Sequence, residues 1–280
     1  MSRIVFAGAT SGLGRQAALR LARDGHDLVL VGRDAERGAR LARETGGRFV
    51  RADLSVSTGV DHVAEQVAHR FDGVDVLVNN AGVMTPERRM TGEGIELNLA
   101  VHHLAPFSLT GRLLPLLRRG GGRVINVNSE GHRQSMFRAG PVRIDFEDLQ
   151  SERNFDPFAT YSRTKLANLL FTYELRRRYP ELTVAAVHPG FVRTDLGRDF
   201  PRARVALLHL TALSARQGAA PVVHLATTRE LVNGAYYDRF SQTRSSDASY
   251  DRETAQRLWD MTERLRGRFA VPVSDPSLDC

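Results

Sequence analysis

The stretch "ATYSRTKLAN", residues 159–168, places Tyr161 and Lys165 four positions apart, and Lys165 is the single lysine of a 280-residue chain. Every other long basic side chain is arginine. Arginine holds its charge at any pH a protein meets, whereas lysine is a compact ammonium whose pKa moves on burial. A lone lysine in such a chain is either a survivor of a codon bias or a group that arginine cannot replace. On a helix, positions i and i+4 share a face, which sets this ammonium one turn from the phenol. A free phenol ionises near pH 10, and a neighbouring cation favours the phenolate. The expectation is a tyrosine made more acidic by Lys165. A second candidate, Ser129, ends an apolar run; by itself it reads more readily as a strand-end serine making a local turn.

A different chemistry is written near the start. "AGATSGLGR" spaces Gly8, Gly12 and Gly14 as G-x-x-x-G-x-G, with Thr10, Ser11 and Leu13 between them. A glycine-rich turn between a strand and a helix lets backbone approach a pyrophosphate, and the helix N-terminus offers N–H groups and partial positive charge. A further apolar run ends at Gly32, followed by Arg33 and Asp34. An acid at that strand end bonds the ribose 2′-hydroxyl of NAD, and a base receives the 2′-phosphate of NADP. Gly32 and Arg33 favour NADP over NAD. Asp34 has two readings, a ribose ligand or an N-cap of the next helix.

These residues need elements to hold them. Apolar runs occur at 3–8, 27–32, 48–54, 74–82, 123–129, 182–190 and 234–238. Their continuity suits strands covered on both faces. Helical spacing lies between them, as in Leu13, Ala17 and Leu21, or Val60, Ala64, Val67, Ala68 and Phe71. The alternation predicts an α/β fold, a doubly wound, mostly parallel sheet of about seven strands with helices on both faces. One domain, 1–280, is expected. A polar excursion at 130–158 and a region at 195–232 face the substrate, and residues 200–218 read as an amphipathic helix for a substrate lid, a sheet edge or a dimer contact.

Composition narrows the function classes. The net charge is +7, but the arginines are scattered among 32 acids, so no nucleic-acid partner is expected; an acidic or phosphorylated small ligand suits the sign equally well. The one cysteine, Cys280, allows no intrachain disulfide and no cysteine metal site. No apolar run reaches membrane-spanning length, and "MSRIVFAGAT" enters a strand at once, so a cytoplasmic location is expected.

Taken in order, "GATSGLG", "ADL" (52–54), "NNAG" (79–82), "VINVNS" (124–129), "YSRTK" (161–165) and "HPGFVRT" (188–194) resemble the short-chain dehydrogenase/reductase family over nearly the whole chain. "GIELNLAVHHLAPFSLT", "RIDFEDLQ" and "RLWDMTERL" are most similar to its retinol-dehydrogenase-like branch. The resemblance implies a Rossmann-type fold, an NADP cofactor, a lipophilic ketone or aldehyde as substrate, and a homodimer or homotetramer. It makes Tyr161 the acid/base, Ser129 the residue that holds the substrate oxygen, and Lys165 a ligand of the nicotinamide ribose. It assigns Asn80, Ala81 and Gly82 to the adenosine side, Asp53 and Leu54 to the adenine, and Pro189, Gly190, Val192 and Thr194 to the carboxamide. One position departs from the branch. His102 stands where an asparagine helps hold a water beside the lysine. It is neutral and acts through its backbone carbonyl, or relays protons itself, or marks a site reused for non-redox chemistry such as cyclisation, dehydration or isomerisation. A nucleotide sensor without turnover would have no need of Ser129, Tyr161 and Lys165 together.

Overall fold

The computed structural model describes residues 1–135, 139–193, 195–201 and 212–270. The first half alternates strand and helix: β1 (Arg3–Ala7), α1 (Gly12–Arg23), β2 (Asp27–Gly32), α2 (Ala35–Thr45), β3 (Arg48–Arg51), α3 (Ser57–Ala68) and β4 (Val76–Asn79). A short α4 (Leu97–Leu99) then runs through a π-helical turn, Ala100–Leu104, into α5 (Ala105–Gly120). The second half adds β5 (Arg123–Val127), α6 (Pro157–Arg178), β6 (Thr183–His188), α7 (Ala215–Thr227), β7 (Ala235–Asp238), β8 (Ser241–Thr243) and α8 (Arg252–Arg266).

The eight strands lie in the order β3-β2-β1-β4-β5-β6-β7-β8. All neighbours are parallel except β8, which returns antiparallel to β7. The expected sheet is present, with the short β8 as an addition that its polar sequence, Ser-Gln-Thr, did not announce. Side chains alternate between two cores: Val5 and Ala7 join one cluster with α3, α5 and α6, while Ile4 and Phe6 join another with α1 and α7. Each fully buried aliphatic side chain contributes about 1.5–3 kcal/mol, so both faces hold the sheet. Helix α3 buries Val60, Val63, Ala64 and Val67; Ala68, expected on that face, is exposed.

Because β1 has β2 on one side and β4 on the other, the chain leaves these strands in opposite directions and opens a crevice at their carboxyl ends. Gly8, Arg33, Asn80, Ser129 and Pro189 each follow a strand at that edge. The strands are shorter than the apolar runs suggest. β3 stops at Arg51; beyond it the Asp53 carboxylate accepts the Ser55 N–H at 3.0 Å and turns the chain. The 200–218 segment is not one helix where it is described: Ser214 starts α7 with a reciprocal capping box to Gln217, and 202–211 lie outside the described residues. No helix among the described residues is long and apolar enough to cross a membrane.

Candidate active site

The glycine turn is built so tightly that side chains are excluded. A Cβ on Gly14 would come within 2.1 Å of the Gly8 carbonyl oxygen, and one on Gly8, whose φ is +81°, would meet the Ala81 backbone at 2.6 Å. Asn80 donates through Nδ2 to the Gly8 carbonyl at 2.7 Å, so the turn after β1 is fastened to the loop after β4. Ser11 is the N-cap of α1 and spends no side-chain hydrogen bond on it, and the first turn carries no acid. The result is a helix N-terminus that its N-cap side chain does not occupy, behind a close-approaching backbone, the arrangement that binds phosphate.

The candidate reacting groups, Ser129, Tyr161 and Lys165, come together near the end of β5. Asp156 caps α6 by accepting the Ala159 N–H at 2.7 Å, with Pro157 in the first turn. That helix carries Tyr161 and Lys165 past the end of β5. Lys165 Nζ donates to the Val127 carbonyl at 3.1 Å and lies 5.7 Å from the centre of the Tyr161 ring. The lysine is 6% exposed. Burial lowers its pKa to about 8. Tyr161 departs from the sequence expectation: burial pushes its phenol up to about 12, and a hydrogen bond with Ser129 works in the opposite direction without offsetting it. Desolvation of the phenolate is the larger cause, and the Lys165 Nζ is bonded to a backbone carbonyl.

His102 sits in the π-helical turn, a feature frequent at functional sites. Pro106 has no N–H to close an α-helical bond to the His102 carbonyl, and Asn168 Nδ2 donates to that carbonyl at 2.9 Å instead. The imidazole is 1% exposed. Its Nε2 accepts the Val83 N–H at 3.0 Å, which leaves the proton on Nδ1, 2.8 Å from Thr164 Oγ1. The ring stands edge-on to Tyr161, with centroids 5.3 Å apart. Burial, with the charge of Lys165 second, holds its pKa well below the usual imidazole range. Both nitrogens are engaged, and neither engagement leads to the lysine.

Residues 2–141 match the family model described as short chain dehydrogenase. The chain belongs to the short-chain dehydrogenase family. It is 35% identical to human retinol dehydrogenase 13, over 98% of this chain and 87% of the human protein. A protein of Streptomyces sp. (strain C5) with the provisional name daunorubicin C-13 ketoreductase DnrU is 36% identical, over 95% of this chain and 93% of its own. An uncharacterised protein of Mycobacterium paratuberculosis matches in structure with a TM-score of 0.79 and 32% identity, covering 97% of this chain and 96% of that one. The chain is accordingly a short-chain-dehydrogenase-type oxidoreductase, related at moderate identity to several branches of that family, the retinol dehydrogenases among them.

Some of the residues that the family pattern singles out spend their side chains on support. Asp53 turns its own loop, and Leu54 is buried in the core beside it. Val192 packs against Gly218 of α7, so it braces the loop after β6. Thr194 lies outside the described residues. Pro189 is buried and Gly190 takes a φ of +91°. Sequence reasoning missed the polar supports of this dehydrogenase site. Asn128 Nδ2 donates to the Lys165 carbonyl at 3.0 Å and to Asn168 Oδ1 at 2.9 Å. Beside Ser129, the Glu130 carboxylate accepts from the Tyr236 hydroxyl at 2.6 Å and from Arg133 Nε at 2.7 Å. Asn128 belonged to a quoted motif and could have been found; Tyr236 lies too far along the chain to carry a local signal.

The residues fit a dinucleotide. The phosphate end is the glycine cradle just described. At the ribose end, a Cβ on Gly32 would meet Thr10 Cγ2 at 2.5 Å, so a side chain at the end of β2 would have to displace Thr10. Asp34 is the N-cap of α2, accepting the Arg37 N–H at 3.0 Å, and Arg33 is exposed beside it.

Proposed function

We propose that this chain is an NADP-dependent reductase of lipophilic ketones or aldehydes, of the retinol-dehydrogenase-like branch. The observation that carries the reading is the cluster at the end of β5: the Tyr161 phenol, its Ser129 neighbour and the buried Lys165 ammonium, across the crevice from the glycine turn. When bound, NADP(H) supplies the hydride that goes to the carbonyl carbon. Ser129 holds the substrate oxygen by hydrogen bond. Tyr161 gives its proton to that oxygen, the carbonyl becomes an alcohol, and the phenolate left behind is stabilised by the Lys165 ammonium. A phenol pushed up to about 12 keeps its proton at neutral pH, which suits reduction better than the reverse. Lys165 also donates to the nicotinamide ribose. Ser11 and the first N–H groups of α1 hold the pyrophosphate, and Arg33 receives the 2′-phosphate at the end of β2, where glycine stands in place of an acid.

The lipophilic substrate is favoured by the names of the relatives, which refer to retinol and to a C-13 ketone. Phe191, next to Gly190 and 47% exposed, offers apolar surface at the carboxyl edge of the sheet. His102 acts as a neutral strut between the loop after β4 and α6. The test is a panel of aliphatic, aromatic and polycyclic carbonyls assayed with NADPH and with NADH. Stoichiometric loss of the reduced nicotinamide absorbance, with NADPH preferred at least about tenfold in kcat/KM and the preference collapsing in Arg33→Asp, is the expected result; tenfold corresponds to about 1.4 kcal/mol. A preference for NADH, or consumption of substrate with no change in nicotinamide absorbance, would overturn it.

A further inference from the structure

The C-terminal helix ends in an arginine that the chemistry above does not use. Arg266, the last residue of α8, has a side chain only 3% exposed. Its guanidinium reaches two loops more than 170 positions earlier in the chain. Nη2 donates to the Ser55 carbonyl at 2.7 Å, and Nη1 donates to Ser57 Oγ at 2.7 Å and to the Glu93 carboxylate. Glu93 in turn accepts the Ser57 N–H at 2.7 Å. This matters because α3 lacks a cap of its own: the N-cap residue is Val56, which has no side-chain acceptor. A carboxylate from the loop after β4 therefore caps α3, and the guanidinium holds that carboxylate and the loop backbone in place. A planar fork with several donors fits such a three-way junction, and a lysine does not.

The two loops that meet on Arg266 are those that continue from Asp53 and from Asn80–Gly82. The contact with Asp53 is close, since a Cβ on Gly59 of α3 would come within 1.9 Å of the Asp53 carbonyl oxygen. Any shift of the first turn of α3 therefore moves Asp53. We propose that Arg266 is a positioning residue for the adenosine half of the cofactor site, so that the C-terminal helix sets the affinity for the nucleotide; this rests on the dinucleotide reading given above. The other face of α8 packs Ala255 and Leu258 against Leu166, Ala167 and Leu170 of α6, the helix that bears Tyr161. A general loosening of α8 would disturb the reacting end as well, whereas loss of the Arg266 junction alone acts at the adenosine end.

The experiment is calorimetric titration of the full chain with adenosine 2′,5′-bisphosphate, together with steady-state kinetics, for the wild type and Arg266→Met. Removing the guanidinium takes the donor away from the Ser55 carbonyl, Ser57 Oγ and the Glu93 carboxylate together, and the expected outcome is about a tenfold weaker Kd for the bisphosphate with a matching rise in KM for NADPH. The turnover number at saturating NADPH should change by less than about twofold. Should Arg266→Met fail to fold, Arg266→Lys carries the test, with a loss of about threefold expected because the ammonium cannot span all three partners. Equal bisphosphate affinity in wild type and variant, or a loss seen in kcat rather than KM, overturns the role of Arg266 alone. A wild-type chain that binds neither the bisphosphate nor NADPH takes down the dinucleotide reading with it.

Discussion

At the scale of single residues, the site depends on which groups are solvated and which are held. Lys165 and Tyr161 are neighbours as their spacing requires, but the phenol is made less acidic, because burial strips the phenolate of hydration and the Ser129 hydrogen bond does not offset the loss. Spacing alone could place the pair; it could not weigh burial against charge, since the packing around Tyr161 comes from distant parts of the chain. His102 makes the same point. Its neutrality follows from burial and from the charge of Lys165, and its ring is held by Val83 and Thr164, which no local motif ties to it. Replacing His102 with Asn removes a strut and no proton relay. The expected outcome is a kcat lower by about tenfold, near the 1.4 kcal/mol that a lost buried hydrogen bond is worth. The alkaline limb of the pH–rate profile, set by Lys165 near 8, should keep its midpoint. A midpoint displaced by more than about one pH unit would restore the relay, since one unit is about 1.4 kcal/mol between protonation states.

At the scale of elements, the glycine turn was legible because its constraint is local. Strand, turn and helix follow one another without interruption, and the spacing of Gly8, Gly12 and Gly14 is itself the close approach. The π-helical turn at Ala100–Leu104 was not legible as such, although Pro106 marks where the helix loses a donor. The 200–218 segment misled in its described part, where amphipathic spacing ran straight through the Ser214 cap. The glycine constraint gives a direct prediction. Gly14→Ala puts a methyl group within 2.1 Å of the Gly8 carbonyl oxygen, so α1 must move away from the turn. Overpacking of this kind costs about 1–3 kcal/mol, and a melting temperature lower by about 5 °C follows for a chain of this size. Cofactor affinity should fall by at least tenfold, or about 1.4 kcal/mol, in the same variant. Unchanged melting and unchanged cofactor binding would mean that the turn is not packed as described.

At the scale of the whole molecule, the fold class followed from the alternation of apolar runs, whereas the strand order around the crevice and the burial of the histidines did not. His102, His103 and His132 are all inside, 0–1% exposed. Burial holds His103 and His132 at about 4, and His102 well below its usual range. Their pKa values are lowered on folding, so the unfolded chain binds protons first as the pH falls below about 6.5. The stability they permit is complete above that pH and is lost on the way down to about 4, at up to about 1.4 kcal/mol per group per pH unit. Urea denaturation should therefore show a clearly lower midpoint at about pH 5 than at about pH 7.5; equal midpoints would mean that these rings are hydrated.

The central claim is that the Tyr161 phenol supplies the proton while hydride reduces a carbonyl. Single-turnover reaction of the NADPH-loaded chain with a carbonyl substrate, comparing wild type with Tyr161→Phe, tests it most directly. The phenylalanine variant keeps the ring and loses only the hydroxyl. The account predicts one alcohol formed per nicotinamide oxidised in the wild type, and a rate in the variant lower by at least about a thousandfold, within the range for a lost general acid. A variant that turns over at the wild-type rate would contradict it.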